Sequence, residues 1–256
     1  MTGLLRSEML KIRTTAVPWV LAGIAILLEG LQILGVFLEN RNVDGGYAVP
    51  STTQELRNLL GVGFRSGYLM ALLLGVLIVT TEFRHKTVTT SFLVTPRRTV
   101  FVIGKLVATA ILGVLLGVLL LVTALAGGGL TLVARGGSFG DLARQLPAVA
   151  PGFLLVFALF AILGAGIGSI LTNQLAAIIA SLGWFIVGEL ILVGLVHSAY
   201  RWTPTGAGTA ASNLTRDRGA DVLSLFSWWQ GTLLMLAYGL GFALIGSYLL
   251  TRRDIT

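Results

Sequence analysis

Six stretches of this chain stay apolar for about the length that a helix needs to cross a bilayer. A spanning helix takes ~20 mostly apolar residues. Such runs occupy Ala16–Leu38, Leu59–Thr81 (interrupted by Arg65), Thr99 to about Ala126 with room to extend further, Pro151–Thr172, Leu175–His197 and Trp229–Leu250. Pro151 suits a first helical turn, where its missing N–H is no loss. Thr172–Gln174 leave so little chain between the fourth and fifth runs that those two are expected to be antiparallel neighbours. The chain has 256 residues, of which only 11% are charged, against about a quarter in soluble domains. The expected fold is an all-α integral membrane protein: one domain over residues 1–256, with six transmembrane helices.

The basic residues orient it. With the N-terminus in the cytoplasm, the inside segments are 1–15, 82–105, 172–174 and 251–256. They carry ten cations against three acids, whereas the outside segments carry seven against six. Lys and Arg favour the cytoplasmic side, so both termini are expected there. The net charge of +7 then reads as a topology signal and a contact with inner-leaflet lipid, and no nucleic-acid partner is expected. The first run is too long for a signal-peptide core and no A-x-A site closes it, so it is read as a retained span. Before it, Leu4, Leu5, Met9 and Ile12 share one helical face flanked by Arg6, Lys11 and Arg13. Residues 1–15 are therefore expected to form an interfacial helix on the cytoplasmic leaflet; a plain start-transfer flank is the alternative. Residues 198–228 are too polar to span and too rich in small residues for a packed domain. They are expected to form an extracellular loop between the fifth and sixth helices.

The main inside loop, 82–98, holds two charged clusters, "EFRHK" and "PRR", around the amphipathic "TVTTSFLVT". Pro96 would end a short helix there, because a residue before proline disfavours the helical region. The stretch "EFRHKTVTTSFLVTPRRTVFVIGKLVA" resembles the signature region of ABC-2 type permeases, the membrane subunits of one class of ATP-binding-cassette exporter. Glu82, Phe83, Arg84, Lys86-Thr87, Thr95-Pro96-Arg97 and Lys105 follow that pattern in order. "RWTPTGAG" after the fifth run is similar to the aromatic-Pro-small segment of the same family. The resemblance covers essentially the whole chain and is most specific over 82–105. It implies that the loop is a coupling helix docked on a separate ATPase subunit, with Glu82, Phe83, Arg84, His85, Lys86, Thr87, Phe92 and Arg97 as contact residues. It also implies a second permease copy, either identical or a paralogue, with the path between the two, in a bacterial plasma membrane. A topogenic positive-inside loop is the alternative for 82–98.

The chain has no G-x-x-x-x-G-K-[ST] sequence. Its one Gly-Lys pair, Gly104-Lys105, has Thr99 where the first glycine is needed and Leu106 where Ser or Thr is needed. No cofactor is expected on this chain; ATP and Mg would belong to the partner subunit. Cysteine is absent and the two histidines, His85 and His197, lie far apart, so no metal site and no catalytic residue is expected.

Glu29 and Glu189 fall inside apolar runs, and Arg65 enters the second from the outer side. Ionisable groups in lipid face a partner or a wet cavity. Two readings stay open for these three: a local ion pair plus a snorkelling Arg, or a polar lining for a cationic or amphiphilic substrate. Gly113-x-x-x-Gly117 and Gly164-x-x-x-Gly168 allow close helix approach and are read as packing within the chain. The function expected is export of an amphiphile (drug, peptide or lipid) by a permease subunit that is not itself an enzyme. The alternatives are a polytopic membrane enzyme, which the scattered acids and isolated histidines do not favour, and an ion-coupled carrier, which would show inverted repeats.

Overall fold

The computed structural model describes residues 15–39, 52–84, 98–212, 214 and 225–252. The 1–15 interfacial helix, but for Thr15, lies outside the described residues. So do His85, Lys86, Thr87, Phe92 and Arg97 of the coupling loop, and the side chain of Arg65. Among the described residues the regular structure is entirely helical, and six helices are long and apolar enough to cross a membrane. The protein is a multi-pass membrane protein.

The first span is α1, Val17–Glu39. The second run does not hold together as one helix. A short α2, Thr53–Leu60, ends at Gly61, and α3, Phe64–Arg84, begins after it. The separation is written in local chemistry. Thr52 and Glu55 form a capping box, with each side chain taking the other's backbone N–H at 3.1–3.2 Å. Leu56, Leu59 and Leu60 then bury one face of α2. Gly61 closes it by donating to Arg57 O.

The third span, α4, runs from Arg98 to Ala134, taking the further extent beyond Ala126 that its apolar run left open. A single turn, α5 at Phe139–Ala143, leads into α6, Leu146–Ile170. This fourth span starts earlier than its apolar run suggested, because Pro147, not Pro151, occupies the first turn. Pro151 lies inside the helix, where a membrane bundle tolerates it.

The fifth span is composite: α7 at Gln174–Leu182, a π-helical turn at Gly183–Gly188, and α8 at Glu189–Leu195. It packs on α3 and, away from the tight turn at 171–173, meets α6 through its side chains, the Phe185 ring lying 5.9 Å from that of Phe160. The stretch expected as a plain 198–228 loop opens with a 3-10 segment, His197–Trp202, and a helix, α9, Pro204–Ser212. Nearly all of α9 is buried against α6 and α10 (Trp228–Arg252), the sixth span. Small residues permit this: a Cβ on Gly206 would lie 1.8 Å from Tyr200 O, and one on Gly231 would lie 2.5 Å from Ala207 O. The small-residue richness that argued against packing is what lets the segment pack.

Helix α6 is the hub, contacting α3, α4, α9 and α10. Phe153, Phe157 and Phe160 on it are fully buried, and the Tyr68 ring of α3 lies tilted by 38° against the Phe160 ring, their centroids 4.7 Å apart. The paired glycines do the close packing expected of them. A Cβ on Gly164 would meet Leu72 O of α3 at 1.9 Å, and one on Gly113 of α4 would meet Phe157 O at 2.4 Å. At the periphery only 22% of the apolar part of the first, fifth and sixth spans is buried, against 67% in α3. Those three offer the most surface to lipid or to another chain.

Candidate functional site

Two regions carry chemistry. The first is the end of the bundle where α3 finishes and α4 begins. Glu82, in the last turn of α3, meets Lys105 of α4 at 2.7 Å, with both side chains less than a tenth exposed. Neither could sit there alone, since a buried charge without its partner costs several kcal/mol. The pair joins the two ends of segment 83–104. Glu82 therefore turns inward and joins α3 to α4 at the base of the loop. Phe83 is half-buried beside it. Arg84 is exposed, and its Nη1 donates to Gln174 Oε1 at the start of α7, 3.2 Å away. Asn173 caps α7 by accepting from Ala176 N at 3.2 Å. Phe83, Arg84, Asn173, Gln174 and Ile178 surround a groove of about 460 Å³. This end of the molecule thus presents one surface made from the last turn of α3 and the α6–α7 connection.

The second region is the interior, where the two intramembrane acids occupy separate neighbourhoods. Glu29 on α1 is fully buried. Thr123 of α4 donates its hydroxyl to Glu29 Oε2, while Oε1 has no hydrogen-bond partner among the described residues. Oε1 lies against Gly63, where a Cβ would come within 2.1 Å of it. One turn further along α1, Gln32 donates to Ser66 Oγ at 2.9 Å. A polar strip on α1 therefore docks on α3 and α4, and Gly63 leaves room for the carboxylate.

Glu189, also buried, bonds elsewhere: its Oε1 accepts from Thr205 N at 3.3 Å, at the first turn of α9. Thr203 accepts from Gly206 N in the same turn, at 3.1 Å. Glu189 thus ties the fifth span to α9, an interaction that favours negative charge at a helix N-terminus. Among the described residues neither acid forms an ion pair, so the local ion pair considered from the sequence is not seen there. The two acids bond to different elements, and the side chain of Arg65, the third group of the expected lining, lies outside the described residues.

Sequence reasoning missed a cavity of about 480 Å³ enclosed by α6, the fifth span, the 3-10 segment and α10. Ser181, Trp184, Phe185, Trp202, Thr203 and Tyr238 are among its walls. Tyr238 donates its hydroxyl to Trp202 O at 2.6 Å and so pins the 3-10 segment to the sixth span. The sequence signal was the aromatic spacing in "SLGWF" and "AYRWTP", which means little until α9 is known to fold back. No family model matches the chain, and no curated protein matches its sequence.

Proposed function

We propose that this chain is the transmembrane permease subunit of an ATP-binding-cassette exporter, moving an amphiphile out of the cytoplasm or inner leaflet with ATP hydrolysed by a separate subunit. One observation carries the reading. The residues that open and close the signature-like stretch, Glu82 and Lys105, are joined in a buried ion pair. A loop that relays force needs a fixed base, and a loop serving only as a topology signal does not. Charge-assisted contacts from the intervening residues would set its register on the ATPase. The Arg84–Gln174 bond adds the α6–α7 turn to the same surface, so a docked subunit would press on α3, α4 and the fifth span together. In this proposal the protein works as a pair of permease copies in the plasma membrane, with its termini in the cytoplasm.

The test is co-expression with its cognate ATP-binding-cassette ATPase subunit. The expected product is a complex with two copies of each chain. The permease alone should show no ATPase activity, and the complex should show activity that responds to substrate. A polyalanine replacement of residues 87–92 should leave insertion intact and sever ATP hydrolysis from transport. An active permease that needs no ATPase subunit would refute the proposal, as would wild-type coupling in the polyalanine variant.

A further inference from the structure

The cavity between α6, the fifth span and α10 is walled by residues of one chain. At about 480 Å³ it falls within the ~300–1,000 Å³ of small-molecule sites. It opens onto the outer surface of the bundle through Ala180, Trp184 and Trp202, all exposed. A ligand would therefore enter sideways from the lipid. Its walls are mostly apolar and rich in aromatic rings, and none of its lining residues is charged.

Two polar features break this pattern. Ser181 is 2% exposed, lines the cavity, and its Oγ has no hydrogen-bond partner among the described residues. Glu189 stands at the edge. It lies four residues after Phe185 and three before Leu192, which both line the cavity, and it bonds to Thr205, two residues beyond the lining Thr203. Glu189 is 5% exposed and has no ion-pair partner among the described residues. A carboxylate in the apolar part of a membrane protein normally faces a cation or a wet cavity. The π-helical turn at Gly183–Gly188 separates Ser181 from Glu189, and such turns are frequent at functional sites.

We infer that this cavity binds a lipophilic organic cation: an apolar or aromatic body held by Trp184, Phe185, Trp202 and Tyr238, with its positive charge directed at Glu189. Aromatic faces attract cations and the carboxylate adds to that field. Both would repel an anion of the same shape. Ser181 offers one hydrogen bond to an ammonium N–H or another polar group on the ligand. That the bound cation is cargo rests on the transport reading above; binding itself does not.

The experiment compares two probes of nearly equal size and opposite charge, tetraphenylphosphonium and tetraphenylborate. Equilibrium dialysis is run against the chain in lipid nanodiscs, with empty nanodiscs subtracted. The expected result is saturable phosphonium binding at one per chain and no saturable borate binding. Glu189→Gln should weaken phosphonium binding at least tenfold while keeping an oxygen to accept from Thr205 N. Ala180→Phe, at an exposed wall position, should abolish binding by filling the cavity without burdening the core. Saturable binding of both probes, no binding of phosphonium, or wild-type binding in either variant overturns the inference. The two readings fail separately. Phosphonium binding with no ATPase complex would refute transport and keep the site. A working complex whose permease binds no phosphonium would do the reverse.

Discussion

At the scale of single residues, the buried Glu82–Lys105 pair should dominate the energetics of its end of the bundle. Removing one member of such a pair typically costs about 3–5 kcal/mol, because the other is left buried and charged. Glu82→Ala and Lys105→Ala should each destabilise the chain by that order. The double variant Glu82→Gln/Lys105→Met should recover most of it, since no lone charge remains. Unfolding in mixed micelles, read as a double-mutant cycle, measures this; additive losses would mean that the two side chains act independently. Glu29 behaves differently. Its Oε2 is served by Thr123 and its Oε1 by no described group, so Glu29→Gln keeps the acceptor and removes the charge. The sequence located both intramembrane acids but not their partners. Thr123 lies 94 residues from Glu29 and Thr205 lies 16 from Glu189, and threonines are too common in these spans to single out without coordinates.

At the scale of elements, glycine decides how closely helices meet, and not every glycine matters equally. Gly164→Ala puts a methyl group 1.9 Å from a backbone carbonyl of α3, whereas at Gly117 the nearest atoms are side-chain carbons of Leu154 and Phe157 at 3.1–3.2 Å. Backbone yields less readily than side chains. Gly164→Ala should therefore cost about 1–3 kcal/mol or more by overpacking, and Gly117→Ala less than ~1 kcal/mol. Thermal unfolding in a fixed lipid composition ranks them, and equal shifts would contradict the close α3–α6 contact. The long, uniformly apolar elements were legible in the sequence, because crossing a bilayer needs nothing subtler than length and hydropathy. Short elements were not. The Thr52-x-x-Glu55 box and the Thr203-Pro204 start both carry the ordinary marks of a helix N-terminus. Each was hidden by its setting, one in the polar segment before the second apolar run and the other in a polar, glycine-rich segment. The π-helical turn left no sequence mark beyond its two bounding glycines.

At the scale of the whole molecule, the arrangement sets which positions can report on orientation. The absence of cysteine makes single introduced cysteines clean probes. Ser91→Cys and Thr256→Cys should react with an impermeant thiol reagent only from the cytoplasmic side, and Asn42→Cys and Ser138→Cys only from the opposite side. Ser212, which the sequence suggests as an outside probe, is unsuitable because it is buried. Labelling of all four from one side, or in the reverse pattern, would overturn the orientation read from Lys and Arg. The span α4 has one more consequence. Its apolar stretch Ile103–Ala134 has 32 residues, about 48 Å at 1.5 Å per residue, against a hydrocarbon core of ~30 Å. Tilting within the ~0–40° found for membrane helices cannot hide all of it. The surplus has somewhere to go: near its C-terminal end Gly128 abuts Leu59 and Gly129 abuts Phe139, while Arg135 donates to Phe37 O at the end of α1. The helix thus brings a greasy stem out of the bilayer and clothes it with its own short helices.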